Sequence, residues 1–136
     1  MFKLIKIITS GKNVPEIMAV RPTHKGAFKA GTLLTCDDGY AVNCTATDKP
    51  LYVAAESIAE AETTDLLKVY PITENMIFET SSDGYPSYLN VGEKYTLSIK
   101  NGFATGVTTT SEGGVATIVE KMDAAYIGDK ILVRFE

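Results

Sequence analysis

The chain has 136 residues, 45% hydrophobic and 22% charged, with a net charge of −4 at neutral pH. That length favours one domain, residues 1–136, with a core of its own. The acidic balance, with no cluster of Lys or Arg, excludes nucleic acid as a main partner, because phosphate binding draws on clustered cations.

The N-terminus, "MFKLIKIITSGK", begins like a secretory signal, but Lys3 and Lys6 interrupt the apolar run and no small-residue cleavage site follows. It reads instead as an edge strand. Residues 1–16, up to the Pro15 boundary, are either the first strand of the domain or an N-terminal arm. No run approaches the roughly 18 apolar residues that span a bilayer, so no membrane is expected. The chain is expected to be made in a cytoplasm and to stay soluble there. "PEIMAVRP" is a strand bounded by prolines, and "RPTHKGAFKAG" is an exposed polar loop carrying the sole histidine, His24.

"TLLTCDDGYAVNCT" is the densest stretch, with two cysteines, two adjacent aspartates and a glycosylation sequon. Asp38-Gly39 is a strong hairpin signal. A two-residue turn there sets Asp37 opposite Tyr40, Cys36 opposite Ala41 and Leu33 opposite Cys44. The two cysteines then leave opposite faces of the ribbon. A three-residue loop instead puts them on one face but roughly 13 Å apart, at about 3.3 Å per residue. A disulfide needs Cα atoms within about 7 Å, so neither register permits one, and a shared metal ion fails on the same geometry. Asp37 and Asp38 suit the turn itself. Asn43-Cys44-Thr45 matches the sequon in form only.

Further along, "PLYVAAE" is a short strand. "AAESIAEAETTD", rich in Ala and Glu, predicts either a short helix near 55–64 or a strand end running into an acidic loop. "LLKVYPITENMIFETS" holds two strands broken by Pro71, which cannot donate to a ladder. "SSDGYPSYLNVGE", Ser81 to Glu93, is the one long loop. "YTLSIK" alternates with a period of two. "FATGVTTT" and "VATIVEK" read as a hairpin turning near Glu112–Gly114, and "KILVRFE" is a final strand. Turn dipeptides recur at Asp38-Gly39, Asp83-Gly84, Asn101-Gly102, Gly113-Gly114 and Gly128-Asp129. The pattern predicts an all-β fold of short antiparallel strands, a small β-barrel or β-sandwich.

No reaction motif is present. Phosphate-loop, dinucleotide, zinc-protease, nucleophile-elbow and calcium-loop spacings are all missing. No catalytic residue, cofactor or metal site is therefore assigned. An enzyme would need His24, Asp38 or Cys44 brought into one pocket. Glu56, Glu60 and Glu62 read as a solvated acidic face. Ser10 and Thr108 to Thr110 have no base near them in sequence. Tyr85, Tyr88 and Tyr126 are candidates for an aromatic platform that binds carbohydrate or protein, although Trp, the usual sugar platform, is absent.

The order of elements carries a resemblance. A lysine-bearing loop leads into "FKAGTLLTCDDGYAVNCT", then "DKPLYVAAESI", then "KVYPITENMIFETS", and the chain closes with "GDKILVRFE". Over residues 17 to 136 this resembles the small all-β head accessory proteins of tailed bacteriophages and prophages, the capsid decoration or cement proteins. The resemblance implies a non-enzymatic structural protein on the outer surface of the capsid, bound to the major capsid protein. It also implies a homotrimer, as many of these proteins are, and an arm by which some of them bind. Phe2, Leu4, Ile5 and Ile7 in the arm-like segment and Tyr85 and Tyr88 in the long loop are then the expected protein contacts. The runner-up is another virion binding module: a tail, fibre or carbohydrate-binding domain.

Overall fold

A computed structural model describes residues 1–7, 16–62 and 64–136. Twelve strands are described: β1 (Lys3–Ile7), β2 (Met18–Val20), β3 (Leu33–Asp37), β4 (Tyr40–Asn43), β5 (Tyr52–Ala54), β6 (Leu67–Pro71), β7 (Met76–Ser81), β8 (Lys94–Tyr95), β9 (Leu97–Lys100), β10 (Phe103–Val107), β11 (Ala116–Glu120) and β12 (Lys130–Phe135). They form two five-stranded sheets. The first has the order β1-β7-β12-β11-β8 and the second β2-β6-β5-β3-β4, while β9 and β10 make a separate two-stranded ribbon. The strands pair antiparallel throughout. Among the described residues the architecture is all-β and sandwich-like, and the sheets do not close into a barrel.

The pleat of the second sheet decides where the core lies. Leu33 and Leu34 are neighbours on β3, so they point to opposite faces, and both are fully buried. Leu33 and Val53 face the main core, where they meet Phe78, Ile118, Ile131, Val133 and Phe135 of the first sheet and Leu97, Ala104 and Val107 of the ribbon. The Phe135 ring lies 5.5 Å from that of Phe78 and 5.7 Å from that of Phe2. Leu34, Ala54, Leu67 and Val69 face the other way, into a smaller outer core with Phe28, Ala41 and Ala61. Among the described residues, no sheet covers this outer core. Irregular chain does, and its backbone polar groups pair across the gap. Phe28 and Ile58 exchange two hydrogen bonds (2.8 and 2.9 Å), Lys25 N donates to Ala61 O, and Ala61 N donates to Gly26 O.

This pairing overturns the helix expected near 55–64. Ala54 belongs to β5, Ile58 forms an isolated bridge with Phe28, and Ala61 is buried in the outer core. Helix propensity is worth only tenths of a kcal/mol per residue. Fully burying an Ile-sized side chain is worth about 1.5–3 kcal/mol and each buried CH2 about 0.8 kcal/mol, and here Ile58 is half-buried and Ala61 fully buried. The long-range cover prevails. The only helical element described is a 3-10 turn at Pro86–Tyr88.

The hairpin expected to turn near Glu112–Gly114 is also not formed. β10 belongs to the ribbon and β11 to the first sheet, so residues 108–115 cross between them. The turn that does form is Asn101-Gly102, with φ of 53° and 85°, which joins β9 to β10. Gly114 is needed at the crossing for a different reason: a Cβ there would lie 2.5 Å from the Lys94 backbone. The alternating "YTLSIK" is likewise divided, since β8 pairs with β11 and β9 with β10.

β1 is the outer strand of the first sheet, paired along β7 with a shift of register between Leu4 and Lys6. The shift falls at Ile5, whose side chain is exposed. A bulge of this kind twists an edge and blunts it against stray pairing.

Candidate functional site: an apolar end built from two loops

The residues with chemical potential are dispersed. The Asp38-Gly39 turn has φ of 50° and 82°, and the ladder pairs Asp37 with Tyr40 and Cys36 with Ala41, the two-residue register. Cys36 is exposed, Cys44 is buried in the main core, and both are free thiols. Burial pushes the Cys44 thiol up to about 12, with a further push from the Asp48 carboxylate. The Asn43 side-chain amide is spent on Ala27 O at 2.8 Å, so it is not presented as a glycan acceptor. His24 lines a shallow cleft with Arg21, Pro22, Thr23 and Tyr40. Neither Asp38 nor Cys44 is among those lining residues, and Cys44 lies on the other side of the second sheet. Glu56 accepts from Lys68 N, and Thr108 Oγ1 shares a hydrogen bond with Thr96 Oγ1, which are structural duties. No cluster of three metal-ligating side chains occurs among the described residues. Ser10 lies outside the described residues.

The expected contact residues divide into two groups. Phe2 is buried against Phe135, and Leu4 is half-buried on the main core, so both pack against their own domain. Ile5 is exposed at the register shift. Ile7 pairs with Met76 through its backbone. Tyr85 and Tyr88 are exposed, with their rings 6.5 Å apart and edge to face.

The tyrosines belong to a larger surface. β7 ends at Ser81 beside Lys130, where β12 begins, and β11 ends at Glu120 beside Leu132. The β7–β8 loop and the β11–β12 loop therefore leave the same end of the first sheet. The β7–β8 loop crosses the strand ends and rejoins the sheet where Gly92 N donates to Ile118 O. Lys121 fixes the loops to each other, its Nζ donating to Leu89 O at 2.9 Å and Pro86 O at 3.4 Å. Asp129 shapes the second loop by accepting from the N–H groups of Ala125 and Tyr126, and those bonds hold its carboxyl below the usual carboxylate range. Tyr85, Tyr88, Val91, Met122, Tyr126 and Ile127 remain exposed on these loops, Tyr126 at 72% and Tyr88 at 68%. These are six of the fourteen exposed large hydrophobic side chains described, and their placement on two joined loops makes this end a candidate contact surface. Aromatic residues and Met are also enriched in interfaces.

Val91, Met122 and Ile127 carry no periodic signal, and sequence reasoning missed them. The available clue was "KMDAAYIGD": apolar residues placed among turn formers, where no core position exists for them.

No protein-family model matches the chain, and no curated protein does. Among solved structures the chain is similar to the N base of the head fiber gp8.5 of bacteriophage phi29, with 18% sequence identity and a TM-score of 0.50. The match covers 90% of this chain and 95% of that one. At this identity, the likeness establishes a shared fold.

Proposed function

We propose that the chain is a non-enzymatic structural protein of a tailed-phage particle, bound to the outer surface of the capsid through contacts with the major capsid protein. The observation that carries this reading is a likeness spanning nearly the whole of both chains to the base of a phage head fibre. The apolar loop end supplies a surface suited to such contact, with six large side chains held by an internally bonded scaffold. A rigid platform of this kind loses little conformational entropy on docking.

Co-sedimentation of the purified protein with heads of the phage that encodes it tests the proposal. Saturable binding at a fixed copy number per capsomer is the expected result, and the copy number gives the symmetry of the site and tests the homotrimer. Intact, mature heads that bind none of the protein would overturn it.

A second reading, a fibre or carbohydrate-binding module, is favoured by the structural neighbour, the base of a phage head fibre, and by the exposed Tyr85, Tyr88 and Tyr126. It predicts few copies per head and specific signals on a glycan array. Those signals should vanish in Tyr88→Ala and Tyr126→Ala.

A further inference from the structure

A cavity of about 360 Å³ opens where the chain start, the loop before β3 and the β9–β10 turn converge, and Lys29, Lys100, Ser81, Asn101 and Phe103 line it. Its volume falls within the range of small-ligand sites, about 300–1,000 Å³. The lining contains two lysines and no carboxylate, although acidic residues outnumber basic ones in the chain by 17 to 13. The ion pairs described elsewhere, Lys130 with Glu79 and Arg134 with Glu136, involve neither lysine. The Met1 amine also faces the cavity and donates to Thr105 O. Burial holds that amine below its ordinary value, and the charges of Lys100 and Lys29 lower it further.

The backbone beneath these cations is fixed. Lys29 O accepts from both Thr32 N (3.1 Å) and Thr32 Oγ1 (2.7 Å). Lys100 pairs with Phe103 across the Asn101-Gly102 turn. Among the described residues, two lysines thus share one mouth with no carboxylate in its lining.

We propose that this cavity binds a small multivalent oxyanion, a phosphate or phosphate-ester group. Lysines act as point charges with rotatable donors and suit a tetrahedral phosphate without requiring the planar fork of arginine. The Ser81 hydroxyl and the Asn101 amide add neutral donors, and Phe103 offers one apolar wall to the group that carries the phosphate.

Calorimetric titration of the intact chain with pyrophosphate, and in parallel with citrate, tests this at low ionic strength. Saturable pyrophosphate binding that weakens with added salt is expected. Lys29→Ala and Lys100→Ala should each reduce affinity roughly tenfold, the loss of one charge-assisted contact. Lys94→Ala, at an exposed lysine outside the cavity, should leave binding unchanged. Both cavity lysines are exposed, so these variants are expected to fold, as circular dichroism would verify. Absence of saturable pyrophosphate binding, or binding unchanged in the double lysine variant, would overturn the site. Citrate binding more tightly than pyrophosphate would overturn the assignment to phosphate.

Discussion

The two faces of the second sheet solve one problem in different ways. Leu33 and Leu34 are adjacent and equally buried, yet Leu33 rests on regular strands of the opposing sheet and ribbon, and Leu34 on irregular chain. The inner face needs only side-chain packing, because the opposing strands have already satisfied their own backbones. The outer face needs its cover to pair its own amides and carbonyls, which is what the bonds among Lys25, Gly26, Phe28, Ile58 and Ala61 do. A sheet can therefore bury both faces without a helix, provided the loops over it exchange backbone hydrogen bonds.

The largest expected effect compares the two faces directly. Phe78→Ala and Leu33→Ala on the inner side should each cost about 3–5 kcal/mol, and Leu34→Ala on the outer side about 2–4 kcal/mol, in urea denaturation. Hydrogen exchange sharpens the contrast: the amides of Phe28 and Ile58 should exchange faster than that of Ile131 and should speed up selectively in Leu34→Ala. Equal protection in all three would mean that the loop cover and the sheets open as one unit.

Gly106 tests the inner side alone. A Cβ there would lie 2.5 Å from Ser81 O, so Gly106→Ala must push the ribbon away from β7. About 1–3 kcal/mol of destabilisation is expected, with outer-face exchange little changed.

The cysteines report each face chemically. Cys36 should react with a thiol reagent in the native state, and Cys44 only after unfolding. The Cys44 thiol ionises near its ordinary value of 9.0 when unfolded and at about 12 when folded. Between those values the folded chain holds the proton and the unfolded chain loses it. The stability contribution is therefore complete below pH 9 and declines as pH rises toward 12. Cys44→Ala should flatten that decline.

The smallest effect belongs to the apolar end, which serves neither core. Tyr88→Ser and Tyr126→Ser should shift stability by no more than about 0.5 kcal/mol. Their effect should fall on particle binding, read by co-sedimentation.

Legibility followed the range of the interactions. The Asp38-Gly39 hairpin could be read to the residue because turn chemistry and pleat fix it locally. Two strands were readable around Pro71, and β6 and β7 do fall in different sheets, but Pro71 does not interrupt the ladder: it ends β6 opposite Tyr52, and the break falls after it. The helix expected near 55–64 failed because Ala61 answers to Gly26, 35 positions earlier, and no local window contains that partner. Residues 108–115 misled because the Gly113-Gly114 turn marks a crossing between layers, and crossings and hairpins share turn residues. Tyr85 and Tyr88 stood out as aromatics in a long loop. Tyr126 on the second loop stood out with them, but that Met122 and Ile127 share their surface became visible only once Lys121 joined the two loops.

The strand order also sets a schedule for synthesis. The second sheet draws on residues 18–71 alone and is complete once that stretch has emerged. The first sheet cannot follow, because its middle strand, β12, is the last one made. Until residues 130–135 leave the ribosome, β7 and β11 lack the strand that separates them, and each presents an open edge. At translation speeds of about 5–20 residues per second, the interval between β7 and β12 lasts a few seconds. Aggregation and chaperone capture should concentrate in that interval, on a nascent chain whose first half is already built.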